Sequence, residues 1–253
     1  MGIEISNLSF GYDNDYILKN VNLSINKGYV YSLLGKNGVG KTTLMKLILG
    51  IKDFSSGEIH IDERNLKTMK RAGISKKIAY VPQSADSKVD MKVIDYVLSG
   101  RNPYVGLFDK PTQKDYHLSE SALKESGAYH LRDKQFGNLS GGEKQLVLLS
   151  RAICQDTDYI VLDEPVANLD IKNQHDVFEI LNRLANEKGK GIILSVHNPN
   201  LAYKFSDFAI MLSESRVLGA GTVEEVMNES MLKKVYDMDF QLIKHNGQNL
   251  IIC

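Results

Sequence analysis

The chain has 253 residues with 31 basic and 31 acidic side chains, so its formal net charge is zero. That excludes the strong basic excess expected of a nucleic-acid binder. Apolar residues make up 43% and charged residues 25%, an ordinary globular mix that argues against disorder of the whole chain. The length suits one large domain or two small ones. No apolar run approaches the roughly 20 residues of a membrane span. The start, MGIEISNLSF, lacks the basic and apolar regions of a secretory signal. Cys154 and Cys253 make neither a disulfide framework nor metal-ligand spacing, so a reducing compartment is expected.

The N-terminal third reads as short strands of alternating character. Ile3, Ile5, Leu8 and Phe10 lie near one face; Val21, Leu23 and Ile25 alternate with Asn22 and Ser24; Ile59 and Ile61 flank His60. Half-buried alternation favours antiparallel pairing. Val30 to Leu34, Tyr159 to Leu162 and Ile192 to Val196 are instead nearly continuous apolar runs, which suit parallel strands covered on both faces. Helical spacing appears at Leu44, Leu47 and Ile48 with Gly50 as a stop. It recurs at Leu146, Leu149 and Ile153, and at Val177, Ile180, Leu181 and Leu184 ahead of Gly189. Met91 to Gln135 reads as a helical insertion with loops at Asn102-Pro103 and Lys110-Pro111. The tail from Glu214 reads as short strands and a short helix around Glu224 to Tyr236, a structural close without evident chemistry. Strands alternating with helices predict an α/β fold with a mostly parallel sheet.

Gly35-Lys36-Asn37-Gly38-Val39-Gly40-Lys41-Thr42 fits the phosphate-loop pattern, between an apolar strand and an amphipathic helix, with Thr43 next in the helix. Its glycines let successive N–H groups point at phosphate oxygens, and the helix N-terminus adds its dipole. Lys41 can neutralise the β- and γ-phosphates, and the Thr42 hydroxyl can ligate Mg²⁺. This pattern alone does not choose among kinases, GTPases and transport ATPases. Leu139-Ser140-Gly141-Gly142-Glu143 opens a second helix with a hydroxyl and free N–H groups, either a second anion site or a plain cap. Tyr159 to Leu162 leads into Asp163-Glu164-Pro165, two acids at the carboxyl end of a buried strand, where α/β sheets bind ligands. Asp163 is placed to hold Mg²⁺ and Glu164 to polarise an attacking water.

The ordered set of motifs resembles the ATP-binding cassette family over nearly the whole chain. The matching pieces are Tyr12, Gly35 to Thr42, Gln83, Leu139 to Glu143, Asp163 with Glu164, Ala167-Asn168-Leu169-Asp170, and His197. The resemblance implies a P-loop ATPase core with a mostly parallel sheet, an N-terminal antiparallel β subdomain and an inserted α-helical subdomain at about 86–155. It implies a single cassette over residues 1–253 with a C-terminal tail at about 214–253. By the same resemblance Tyr12 stacks on adenine, and Gln83 senses the γ-phosphate and Mg²⁺ and couples to a membrane partner. His197 contacts the γ-phosphate. ATP and Mg²⁺ are the expected cofactors.

The family further implies a head-to-tail homodimer. Ser140, Gly141 and Gly142 of one copy would close on ATP held by the other, with Asp170 aligning the halves. Some positions depart from the family pattern: Asn168 and Val166 stand where Ala and Thr are common, and Leu146 replaces an arginine after Gln145. Thr42 replaces a frequent serine and keeps the hydroxyl. None of these removes a catalytic group. The chain shows neither the coiled coils of repair cassettes nor the second cassette of translation members, so a transporter subunit on the cytoplasmic membrane face is expected. Polytopic permeases would supply the span, a solute-binding protein would act upstream, and no nucleic acid is expected.

Val97 to Tyr104 with Gly106-Leu107-Phe108, Leu169 to Gln174, and His197 to Ala202 are similar to importers of iron–siderophore, haem, cobalamin and some metals or oxyanions. Iron chelates are the first expectation for cargo, with cobalamin, molybdate or another metal or oxyanion as alternatives, and a non-transport cassette after those.

Overall fold

The computed structural model describes residues 1–12, 15–54, 56–84, 89–106, 109–167, 169–245 and 248–253. Asn168, Leu107 and Phe108 of the sequence motifs lie outside the described residues. The antiparallel part begins with β1 (Gly2–Tyr12) and β2 (Asp15–Asn26), which pair directly. Then come β3 (Val30–Leu34) and α1 (Lys41–Ile48), followed by β4 (Ser56–Ile61), β5 (Arg64–Asn65) and α2 (Arg71–Ser75). β6 (Ile78–Val81) leads to α3 (Val93–Leu98), α4 (Gln113–Glu125) and α5 (Gly141–Gln155). β7 (Tyr159–Leu162), α6 (Ile171–Lys188), β8 (Gly191–Ser195), α7 (Pro199–Phe205) and β9 (Phe208–Ser213) follow. The tail holds β10 (Arg216–Thr222), α8 (Val223–Val226), α9 (Glu229–Tyr236), β11 (Gln241–His245) and β12 (Gln248–Ile252).

One sheet has the order β2-β1-β4-β5 and a six-stranded sheet the order β10-β9-β3-β8-β7-β6; β11 and β12 form a hairpin. In the six-stranded sheet only β9–β10 is antiparallel, so the expected mostly parallel core and antiparallel N-terminal sheet are both present. Side-chain alternation explains the continuous apolar runs. Ile160 and Leu162 of β7 enter the core beneath α5 and α6, while Tyr159 and Val161 enter the core beneath β1, β2 and α1. Both faces of the strand are buried, so neither can be polar.

The face shared by Ile3, Ile5, Leu8 and Phe10 requires a break in the two-residue period. Register shifts after Ile5 and after Leu8, with Asn7 at φ 50°, supply it. Gly50 lies just past α1 at φ 63°, the left-handed stop that glycine adopts without a Cβ penalty. Leu146, in place of the common arginine, packs half-buried against the core beneath α5.

The structure corrects two expectations. The single helix expected around Glu224 to Tyr236 is two short ones, α8 and α9. Asn102-Pro103 is not a loop: a 3₁₀ turn spans Ser99–Tyr104 directly after α3, with Pro103 inside it. A short 3₁₀ turn tolerates the missing N–H of proline. Arg101 then pins the turn in place. Its Nε donates to Asp115 Oδ1 at 3.0 Å, and its Nη1 donates to the carbonyls of Cys154 and Gln155 at the end of α5. The guanidinium also lies 4.0 Å from the Tyr104 ring centroid.

This buried clamp joins α4 to α5. Replacing Arg101 by Ala should cost about 3 kcal/mol, since it leaves the Asp115 carboxylate buried without its ion-pair partner and, among the described residues, with only Thr112 bonded to it; a denaturant titration checks this. Hydrogen bonds from the Thr112 hydroxyl and N–H, and then Arg101, hold the Asp115 carboxyl down at about 2. A depressed carboxylate pKa stabilises the fold above the ordinary value of 3.8, and that contribution is lost as pH falls towards 2. Asp115→Asn should flatten the acid-unfolding curve across this window.

Candidate nucleotide site

The end of β3 and the start of α1 build the centre of the site. Gly35 has φ 151° and a Cβ there would sit 2.5 Å from the Leu212 carbonyl oxygen; Gly40 caps α1 at φ 110°. Lys36, Asn37 and Gly38 are exposed between them, and Val39 is half-buried against the β1–β2 side. Lys41 is buried and curls back across the loop, with Nζ donating to the carbonyls of Gly35 at 2.7 Å and Lys36 at 3.1 Å. Burial lowers its pKa, while Glu164 and Asp163 oppose that shift. An open cleft of about 170 Å³ is lined by Asn37, Gly38, Gly40, Lys41, Thr42, Thr43, Glu164 and Ile17.

The parallel sheet brings the acids to this cleft from 121 residues away. The Thr42 hydroxyl donates to Asp163 Oδ2 at 2.8 Å. Asp163 is buried, and Glu164 follows it with φ 49°, a left-handed conformation that an L residue adopts only when its surroundings hold it. The Glu164 carboxylate is held from both sides: Gln83 Nε2 donates to Oε2 at 2.6 Å, and His197 Nε2 contacts Oε1. Gln83 and His197 therefore meet on Glu164 and not on the Thr42–Asp163 pair. The oxygen donors of Thr42 and Asp163 suit Mg²⁺, which typically takes one or two carboxylates and fills its shell with phosphate and water. The residues fit the ion.

Other predicted residues stand apart. Ser140 is an exposed cap of α5: its hydroxyl accepts from Glu143 N–H, and Glu143 Oε2 accepts from Ser140 N–H at 2.9 Å. Those bonds, with Lys134, hold the Glu143 carboxyl down at about 2. Gly141 shares a smaller cleft with Gln83, Glu164 and Leu169, and Gly142 lies beside Leu169. Asp170 caps α6 by accepting from Asn173 N–H at 2.8 Å. Tyr12 is 56% exposed, edge-on to Phe10, with its hydroxyl bonded to the Lys52 ammonium. Ser140, Gly142, Asp170 and Tyr12 do not line the P-loop cleft.

Ser195 is a member of the site that sequence reading missed. It is fully buried at the end of β8 and contacts both acids. The signal was present: a lone hydroxyl closes an apolar strand two residues before His197. Pairing of Leu162 with Leu194 sets Asp163 beside it.

Residues 18–167 match the ABC transporter family model. The petrobactin import ATP-binding protein YclP of Bacillus subtilis is 32% identical over 248 residues, covering 98% of each chain. The phosphonates import ATP-binding protein PhnC of Fusobacterium nucleatum is 36% identical over 241 residues, covering 92% of this chain and 97% of its own. A solved ABC transporter assigned to the metal-chelate type, in an inward-facing conformation, aligns with a TM-score of 0.87 at 29% identity, covering 99% of this chain and 95% of that one. The chain belongs to the ABC transporter family and is one of its ATP-hydrolysing cassettes.

Proposed function

We propose that this cassette supplies the energy for an importer of iron chelates. The observation that carries the energy-supplying part of this reading is the meeting of Gln83 and His197 on the Glu164 carboxylate, beside the Lys41 loop and the Thr42–Asp163 pair. In this reading Lys41 and the N–H groups of Gly38 to Thr42 hold the β- and γ-phosphates. Thr42 and Asp163 would hold Mg²⁺, which when bound would supply positive charge against the phosphate oxygens, while Gln83 is held on Glu164. Glu164 orients the attacking water and takes its proton, while His197 and Gln83 fix the carboxylate until the γ-phosphate is present. Tyr12 offers an exposed aromatic face to adenine.

One copy leaves the cleft open on one side. The exposed Ser140 tip, Gly141, Gly142 and Asp170 are free to close on a second copy head-to-tail, which would complete charge stabilisation around the γ-phosphate. Closure coupled to a shared ligand turns hydrolysis into motion. No helix among the described residues is long and apolar enough to cross a membrane. In this reading polytopic permeases supply the path, as the import names of the relatives favour, with this chain peripheral on the cytoplasmic face. We also treat residues from about 86 to 155 as the helical subdomain and those from about 214 as the tail.

The petrobactin relative and the metal-chelate structure favour iron chelates, and the phosphonate relative favours an oxyanion as the second cargo. Deleting the gene should abolish uptake of radiolabelled ferric siderophore, and wild type but not Glu164→Gln should restore it. Loss of phosphonate uptake with intact iron uptake would move the assignment to the oxyanion. Affinity capture from detergent-solubilised membranes should recover a polytopic protein. Recovery of RNA or ribosomes in its place would end the transport reading.

A further inference from the structure

We infer that Ser195 is a positioning residue for the acid pair: one buried hydroxyl fixes both the direction of the Asp163 carboxylate and the backbone of Glu164. This rests on the ATPase reading above and deepens it. Ser195 has no solvent exposure, and its strand neighbours Ile193, Leu194 and Val196 are buried apolar residues. A serine in such a strand needs only one acceptor to be satisfied. This one spends both of its capacities on two consecutive residues of the neighbouring strand end. Glu164 N–H donates to Ser195 Oγ at 2.7 Å, and Ser195 Oγ donates to Asp163 Oδ1 at 2.9 Å.

The polarity of this pair of bonds is not a matter of choice. A backbone N–H can only donate, so the single hydroxyl proton of Ser195 is left for the carboxylate. Asp163 Oδ1 is thereby engaged, and Oδ2 alone faces Thr42, 2.8 Å from its hydroxyl. The Ser195 bond holds the carboxylate plane when the Thr42 hydroxyl turns its proton elsewhere. The second bond acts on the neighbour. Glu164 is held at φ 49°, and its N–H is tied to Ser195 in that conformation. Pairing of β7 with β8 brings the two strand ends together, so the hydroxyl sits where neither strand alone would put it. Residues of this kind, one step behind the groups that touch the ion, typically cost 10- to 100-fold in metal affinity or activity when removed.

The test uses the full chain with Ser195→Ala, Ser195→Thr and Ser195→Cys. Ser195→Ala should lower kcat about 10-fold or more, with KM for ATP changed by less than about threefold. The Mg²⁺ concentration for half-maximal retention of a fluorescent ATP analogue should rise at least about fivefold. Ser195→Thr keeps the hydroxyl and should restore both readings. Ser195→Cys keeps the size but donates weakly, and should behave like Ala with a melting temperature near that of wild type. Wild-type turnover and wild-type Mg²⁺ dependence in Ser195→Ala would overturn the inference. So would full function in Ser195→Cys beside an impaired Ser195→Ala, since that pattern assigns the residue to packing. Wild type measured alongside separates the readings: failure of wild type to retain nucleotide counts against the ATPase reading, and a difference between variants concerns Ser195 alone.

Discussion

Glu164→Gln is expected to lower ATP turnover by about 10²- to 10⁴-fold, the usual worth of a positioned general base, with KM for ATP little changed. The substitution keeps the shape of the side chain and removes its ability to take a proton. Glu164 sits where this matters most, between Gln83 and His197 and on the wall of the P-loop cleft. The amide still offers an acceptor to Gln83, and a neutral His197 can accept from its N–H. The local geometry should therefore survive, and the melting temperature should not fall. With hydrolysis blocked, ATP stays in the shared interface. A dimer should then appear in size-exclusion chromatography with ATP and Mg²⁺ and be absent with ADP. Turnover that survives the change unaltered would show that another group activates the water.

Lys41→Met should abolish nucleotide retention at micromolar concentrations. The lost ammonium makes charge-assisted bonds worth roughly 2 to 3 kcal/mol, about 30- to 150-fold in Kd. Methionine fills similar space, so the buried position does not become a cavity. In the free chain the ammonium bridges the carbonyls of Gly35 and Lys36, which orders the loop ahead of the nucleotide. Burial lowers the pKa of this lysine, and binding needs its charged form. Nucleotide affinity should therefore fall with rising pH along a limb lying below the 10.5 of an ordinary lysine, and that limb should vanish in Lys41→Met. Isothermal titration from neutral to alkaline pH reads both effects. Unchanged affinity in Lys41→Met would remove the P-loop from the account.

Much of this protein is written locally. The P-loop needs glycine at 35 and 40 because the backbone there turns through positive φ where a Cβ would collide or strain, and a reader of the chain can see those glycines. Tyr159 to Leu162 and Ile192 to Leu194 announce a doubly covered sheet because alternate side chains enter two different cores, which leaves no polar face to interrupt the run. The caps at Ser140 and Asp170 are likewise local, each serving an N–H three residues on.

What the chain did not disclose involves partners far apart in sequence or a bond that replaces the expected local pattern. Pro103 suggests a break, yet Arg101 holds the segment as a 3₁₀ turn by reaching carbonyls 53 and 54 residues away. Lys234 and Asp237 of the tail line one cleft together with Lys36 and Asn37 of the P-loop, a meeting of segments about 200 residues apart. The Ser195 hydroxyl shows in the sequence as the polar close of an apolar strand, but its two partners on the neighbouring strand end do not. Sequence by itself determined which residue types can grip a triphosphate and in what order they come. Only the tertiary structure decided which atoms face each other at that grip, because hydrogen-bond direction between neighbouring strand ends depends on sheet register, and register is a property of the packed sheet.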